Sequence, residues 1–171
     1  MNRFMNMFAR GVVALAKSTG KTQLLQMSLT AGEIKDGMEH LEPYGFTSCP
    51  HEGAEGLAAF MGGDRSHGVV LVVADRRYRV QALQAGEVAI YTDEGDKIHF
   101  KRGRIIDIET ATLNITATTG VNFDTPSITQ TGTIVSNGDQ VAGGVSQIKH
   151  LHAGVKQGTD QSGPPVAGGG A

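Results

Sequence analysis

A single cysteine, Cys49, stands in 171 residues, so no disulfide can close within the chain. A small secreted scaffold held by disulfides is therefore excluded. Tryptophan is absent and aromatic residues make up only 5%. That is too few for a stacking platform on single-stranded nucleic acid. Charged residues reach 19% and the net charge is -2, so the chain has no cationic excess. Without one there is no broad field to gather nucleic acid or anionic lipid. Long hydrophobic runs are missing as well. Near the N-terminus the longest, Val12 to Ala16, falls far short of the roughly 20 residues that span a bilayer. Arg10 and Gly11 interrupt the stretch that a secretory signal would need to keep apolar. Glycine alone is in excess, at 24 residues with no three-residue period. Collagen is thereby excluded, and the glycines need local explanations.

Along the chain the composition changes in zones. Over residues 1–20 the apolar positions Met5, Phe8, Val12 and Leu15 suit one face of a short helix, which predicts a docking helix or arm. Residues 21–100 read as short strands. Thr22–Leu29 is partly alternating, and Gly56–Met61 ends at the turn cluster Gly62-Gly63-Asp64. Val69–Val73 is continuously apolar and β-branched but for Leu71, which predicts a strand buried on both faces. Glu87–Thr92 and Lys97–Phe100 flank Asp93-Glu94-Gly95-Asp96, a hairpin loop. Strands at this spacing, with no long helix between them, predict an all-β domain, and a five-stranded OB-like barrel fits the length.

Residues 101–149 have another character. Ile106/Ile108, Leu113/Ile115 and Val121/Phe123 form doublets at i, i+2, recurring after seven or eight residues, with Ile128 and Ile134 beyond them. Nine threonines lie between Thr110 and Thr133, and Asp124 is the only charge there. Alternation places the apolar members on one face of a ribbon. A ribbon this narrow cannot bury that face alone. Identical chains around a shared axis solve the problem, which predicts an intertwined trimeric β-prism or β-helix shaft.

The final zone, residues 150–171, is Gly-rich and opens with His150-Leu151-His152. On an extended strand, residues two apart face the same way. Two imidazoles per chain make a weak site in a monomer. In a parallel trimer they supply six nitrogens, which suits octahedral iron(II), nickel or cobalt better than four-coordinate zinc.

Other candidate chemistry is thin. Cys49 and His51 are close in sequence but lack an orienting third group for nucleophilic catalysis and a second ligand pair for zinc. The acidic turn Asp93–Asp96 lacks the ligand pattern of a calcium loop. Arg76-Arg77-Tyr78-Arg79 reads as a salt-bridged or partner-binding edge. A glycan-binding or glycan-cleaving β-helix is the alternative reading. For carboxylates, however, its ribbon offers only Asp107, Glu109 and Asp124.

Several blocks carry a resemblance: Gly45-Phe46-Thr47-Ser48, Gly53-Ala54-Glu55, Phe60 through His67 (FMGGDRSH) and Val72 through Arg79 (VVADRRYR). Together they resemble the baseplate spike proteins of Mu-like phages, the baseplate assembly protein V class of contractile-tailed bacteriophages. The resemblance implies a homotrimer with an OB-fold collar, a triple-stranded β-helix shaft and a pointed tip. It also implies one iron ion per trimer on the threefold axis, held by His150 and His152. A structural, non-enzymatic role follows: the protein is made in the host cytoplasm, built into the virion tail baseplate on a hub protein, and used to pierce the host outer membrane.

Overall fold

The computed structural model describes residues 7–154 and 158. Two compact units divide the chain, one running to Ile115 and one beginning at Thr116.

Among the described residues, ten strands make the fold all-β. Five of them close a barrel: β1 (Phe8–Lys17), β2 (Gln23–Leu29), β3 (Ile34–His40), β4 (Glu55–Phe60) and β5 (Gly68–Ala74). Around the barrel the order is β1-β2-β3-β5-β4, and β4 pairs back onto β1. All pairs are antiparallel except β3–β5, which closes the barrel through Glu39–His40 opposite Val69–Val70. A five-stranded closed barrel is the architecture that the OB-like reading requires.

Alternation explains the core. In β2, Gln23, Leu25, Met27 and Leu29 point inward and are buried, while the residues between them are partly exposed. Ala9, Val13, Met38, Ala54, Ala58, Phe60 and Val70 complete the apolar cluster with Leu25, Met27 and Leu29. The small interior also demands glycine where backbones or rings crowd. A Cβ on Gly68 would lie 2.6 Å from both the Met38 and the Phe60 side chains, and one on Gly11 would lie 2.6 Å from the Ser28 carbonyl oxygen.

Three expectations are corrected here. Residues 8–17, read as part of a helix or arm over 1–20, form β1 of the barrel. The helical spacing was coincidental. Pairing with β2 and β4 fixes an extended backbone, so Ala9 and Val13 turn inward while Phe8, Val12 and Leu15 face outward. Residues 1–6, the rest of that segment, lie outside the described residues. The barrel also ends at Ala74, so the collar expected over 21–100 begins earlier and excludes β6 and β7. Lastly, β5 is not buried on both faces in the single chain, because Leu71 and Val72 are exposed and only Val70 is fully buried.

Past the barrel, β6 (Val88–Tyr91), β7 (Lys97–Lys101) and β8 (Ile105–Glu109) form a separate antiparallel sheet. The expected hairpin joins the first two: Thr92 N–H donates to the Asp96 carbonyl at 3.0 Å, and Gly95 adopts φ +96°. Between Thr110 and Gln140 no residue pairs in a ladder within the chain. Bends recur instead at Ala111, Thr118, Thr125, Thr131 and Asn137, in steps of seven, seven, six and six residues. The second unit contains a small hairpin of β9 (Val141–Ala142) and β10 (Val145–Ser146), turned by Gly143-Gly144.

Candidate functional site

Strand register sorts the side chains of the β6–β8 sheet cleanly. Val88, Phe100 and Ile106 line up across it, and Ile90, Ile98 and Ile108 form a second row. Rows two apart share a face, so six apolar side chains occupy one side of the sheet. All six are exposed. The other side carries Ala89, Tyr91 and Ile105 together with charged residues that pair among themselves. Lys97 meets Glu109 at 2.6 Å, Lys101 meets Asp107 at 2.8 Å, and His99 meets Glu87 at 3.3 Å.

Glu87 is the anchor of that side. Its carboxylate accepts the backbone N–H groups of Arg102 at 3.1 Å and Gln84 at 3.0 Å. These amides, Arg102 first, hold its acid form below the usual carboxylate range. In the same way the Lys101 ammonium holds Asp107 down. Asp107 and Glu109, two of the three carboxylates available to a glycan-cleaving ribbon, are thus each tied to a lysine.

The exposed apolar pattern continues beyond the sheet. Each straight segment between bends carries it: Leu113 and Ile115, then Val121 and Phe123, then Ile128, then Ile134 and Val135. Side-chain-to-carbonyl bonds two residues apart shape some of these bends, as in Thr125 Oγ1 to the Ser127 carbonyl at 3.0 Å and Ser136 Oγ to the Gly138 carbonyl at 2.7 Å.

His150 and His152 come close together, with ring centroids 5.0 Å apart in an edge-to-face arrangement. His150 Nδ1 lies 2.8 Å from the Ser146 carbonyl and 3.1 Å from that of Gln147. A carbonyl can only accept, so in the neutral ring Nδ1 carries the proton and Nε2 keeps its lone pair free. A metal-ligating histidine is commonly held this way by its second nitrogen. The donor set therefore fits a metal as two ligands per chain. Among the described residues, no group of three or more His, Cys, Asp or Glu gathers within the single chain.

The remaining candidates take structural roles. His51 pairs with Asp93 at 3.1 Å rather than with Cys49, which is a free, exposed thiol. Two of the three arginines of the run are salt-bridged: Arg76 joins Arg10 on Glu55, and Arg77 pairs with Asp75 while donating to the Glu52 carbonyl at 2.9 Å. Within Gly62 through His67, Asp64 accepts from Ser66 N–H at 2.9 Å, and Arg65 pairs with Glu33 and lies 4.1 Å over the Phe60 ring. Sequence reasoning missed His40. Buried in the barrel, it bonds through Nδ1 to Gln23 Oε1 at 2.8 Å, and Gln23 in turn donates to the Ser48 carbonyl. Burial pushes its imidazole below the ordinary histidine range. The only hint in the sequence was a polar residue at an inward position on each of two strands.

A closed barrel followed by rows of uncovered apolar side chains defines an all-β protein whose sheet face is not covered within one chain. Residues 10–77, essentially the barrel, match the family model described as "Bacteriophage Mu Gp45, N-terminal". The chain is 36% identical over 177 residues to the "Baseplate puncturing device gp45" of Escherichia phage Mu, covering 93% of this chain and 89% of that protein. It is 33% identical over 156 residues to the "Mu-like prophage FluMu protein gp45" of Haemophilus influenzae, covering 84% and 85%. The chain belongs to the Gp45 family, the baseplate spikes of Mu-like phages.

Proposed function

We propose that the protein is the homotrimeric central spike of a contractile-tail baseplate, used to puncture the host outer membrane. At the coarser level it is a structural baseplate protein, a component of the virion tail that associates with other baseplate proteins. The relative in phage Mu is named a puncturing device, and identity to it extends over nearly the whole chain.

One observation carries the trimer: the apolar face of the β6–β8 sheet and the apolar residues between the later bends are exposed in a single chain. Fully burying a Val, Ile or Phe side chain is worth about 1.5–3 kcal/mol. Six such residues on one sheet face would leave a single chain prone to associate. Three copies with these faces inward would make a closed prism, and the unpaired backbone from Thr110 to Gln140 would find its ladder partners in the neighbouring chains. Interwound strands leave no free sheet edge and share an axial load through hydrogen bonds between chains. Threonine-rich outer positions keep that shaft polar with few charges.

His150 and His152 from three chains would hold one iron ion on the axis at the tip. With all six positions filled by nitrogen, the ion would tie the three chain ends together and leave no open coordination site. The collar would sit on the baseplate hub protein, after synthesis in the host cytoplasm. Residues 155–157 and 159–171 of the Gly-rich tip segment lie outside the described residues. Sedimentation of the purified protein, combined with metal analysis, tests the reading: it requires three chains and one metal ion per particle.

A further inference from the structure

The His150 ring is held by a turn whose geometry traces back to a residue eleven positions earlier. Its Nδ1 faces the Ser146 carbonyl at 2.8 Å, so the position of Ser146 sets the direction of the ring. Ser146 is itself doubly fixed. It is the last residue of β10, paired opposite Val141, and its Oγ accepts the Lys149 N–H at 2.8 Å. Across the hairpin, Gln147 N–H donates to the Gln140 carbonyl at 2.9 Å. Asp139, just ahead of the hairpin, reaches over it and accepts Ile148 N–H on Oδ1 at 3.3 Å.

The electrostatics agree with this geometry. The Ser146 hydroxyl first, and the backbone amides of Ile148, Gln147 and Gln140 after it, hold the Asp139 carboxyl below the usual range. A carboxylate ahead of one arm of a hairpin that accepts an amide just past the other arm is a clasp. Gly143-Gly144, both at positive φ, supply the tight reversal that lets the arms meet.

The geometry points to Asp139 as the positioning residue of the His-x-His site: by clasping the β9–β10 hairpin it holds the Ser146 carbonyl against His150 Nδ1–H and so presents Nε2 as the free donor. This rests on the metal reading above only for what the presented nitrogen binds. The link runs through the backbone: Asp139 holds Ile148 N–H, two residues past Ser146, and the Ser146 carbonyl meets the His150 ring. The logic is that of an outer-shell partner fixing tautomer and ring orientation, which commonly governs 10–100-fold in metal affinity.

The test uses the full-length protein labelled with 15N-histidine, as wild type, Asp139→Ala and Asp139→Asn. In metal-stripped protein at a pH where the ring is neutral, the 15N spectrum should show His150 protonated on Nδ1 in the wild type and mixed between tautomers in D139A. D139N, which keeps an acceptor oxygen for Ile148 N–H, should stay close to the wild type. Iron(II) added to each and then titrated with a chelator should be released from D139A at roughly 10–100-fold lower chelator concentration, with D139N again near the wild type. D139A indistinguishable from the wild type in both measurements would overturn the clasp, as would a wild-type His150 protonated on Nε2. If the wild type shows the Nδ1–H tautomer and D139A loses it, yet neither binds iron, the clasp stands and the metal reading fails.

Discussion

Phe100 lies directly opposite Ile106 across the β7–β8 pair, and the two side chains remain 42% and 59% exposed. A Phe–Ile pair in register on a sheet is a packing unit, and here nothing in the described chain covers it. The other apolar row, Ile90, Ile98 and Ile108, repeats the situation.

Replacing Ile98, the centre of its row, with Asp should break the trimer without unfolding the barrel. Three carboxylates would meet on the covered face with no partners, and each buried unpaired charge costs several kcal/mol. Sedimentation should shift from three chains to one, while the collar's thermal transition persists. A trimer that survives I98D would place the contact elsewhere.

Deleting residues 1–17 should unfold the collar, because it removes β1 and opens the barrel at both the β1–β2 and β1–β4 seams. Far-ultraviolet circular dichroism of the truncated chain checks this. A folded, cooperative collar without those residues would contradict the topology.

Crowding at Gly68 predicts a cost of about 1–3 kcal/mol for Gly68→Ala, since the added methyl group must displace the Met38 and Phe60 side chains. Urea unfolding measures it. Phe60→Ala, which empties the same spot, should cost about 3–5 kcal/mol.

Acid should weaken the collar through His40. Its folded-state value is depressed by burial, so the unfolded chain takes up the proton first. The contribution of neutral His40 is therefore fully present above the ordinary histidine value near 6.5 and is lost as pH falls from there through the folded value. Urea midpoints at pH 7.5 and 5.5 should separate in the wild type, and His40→Gln should narrow the gap. An unchanged gap would assign the acid sensitivity to other groups.

How far the sequence could be read depended on which periods were unambiguous. The hairpin at Asp93–Asp96 was legible because a turn cluster sat between two alternating runs, and the exposed apolar doublets Leu113/Ile115 and Val121/Phe123 were legible from their i, i+2 spacing. The first strand was not. Phe8, Val12 and Leu15 satisfy a helical spacing as well as a strand with one irregularity, and the register shift between Val13 and Leu15 is that irregularity. For Val69–Val73 the composition reported burial correctly at Val70 alone, because a single chain leaves Leu71 and Val72 uncovered. At the candidate metal site the two histidines were visible from spacing. The carbonyls that fix the His150 ring were not, since any residue at 146 or 147 supplies one.

Mass in solution tests the central claim most directly. Sedimentation equilibrium of the full-length protein at micromolar concentration should give about three times the 18.0 kDa of one chain, independent of loading concentration. A stable 18.0 kDa species would mean that the apolar rows are not covered by copies of this chain, and would contradict the spike.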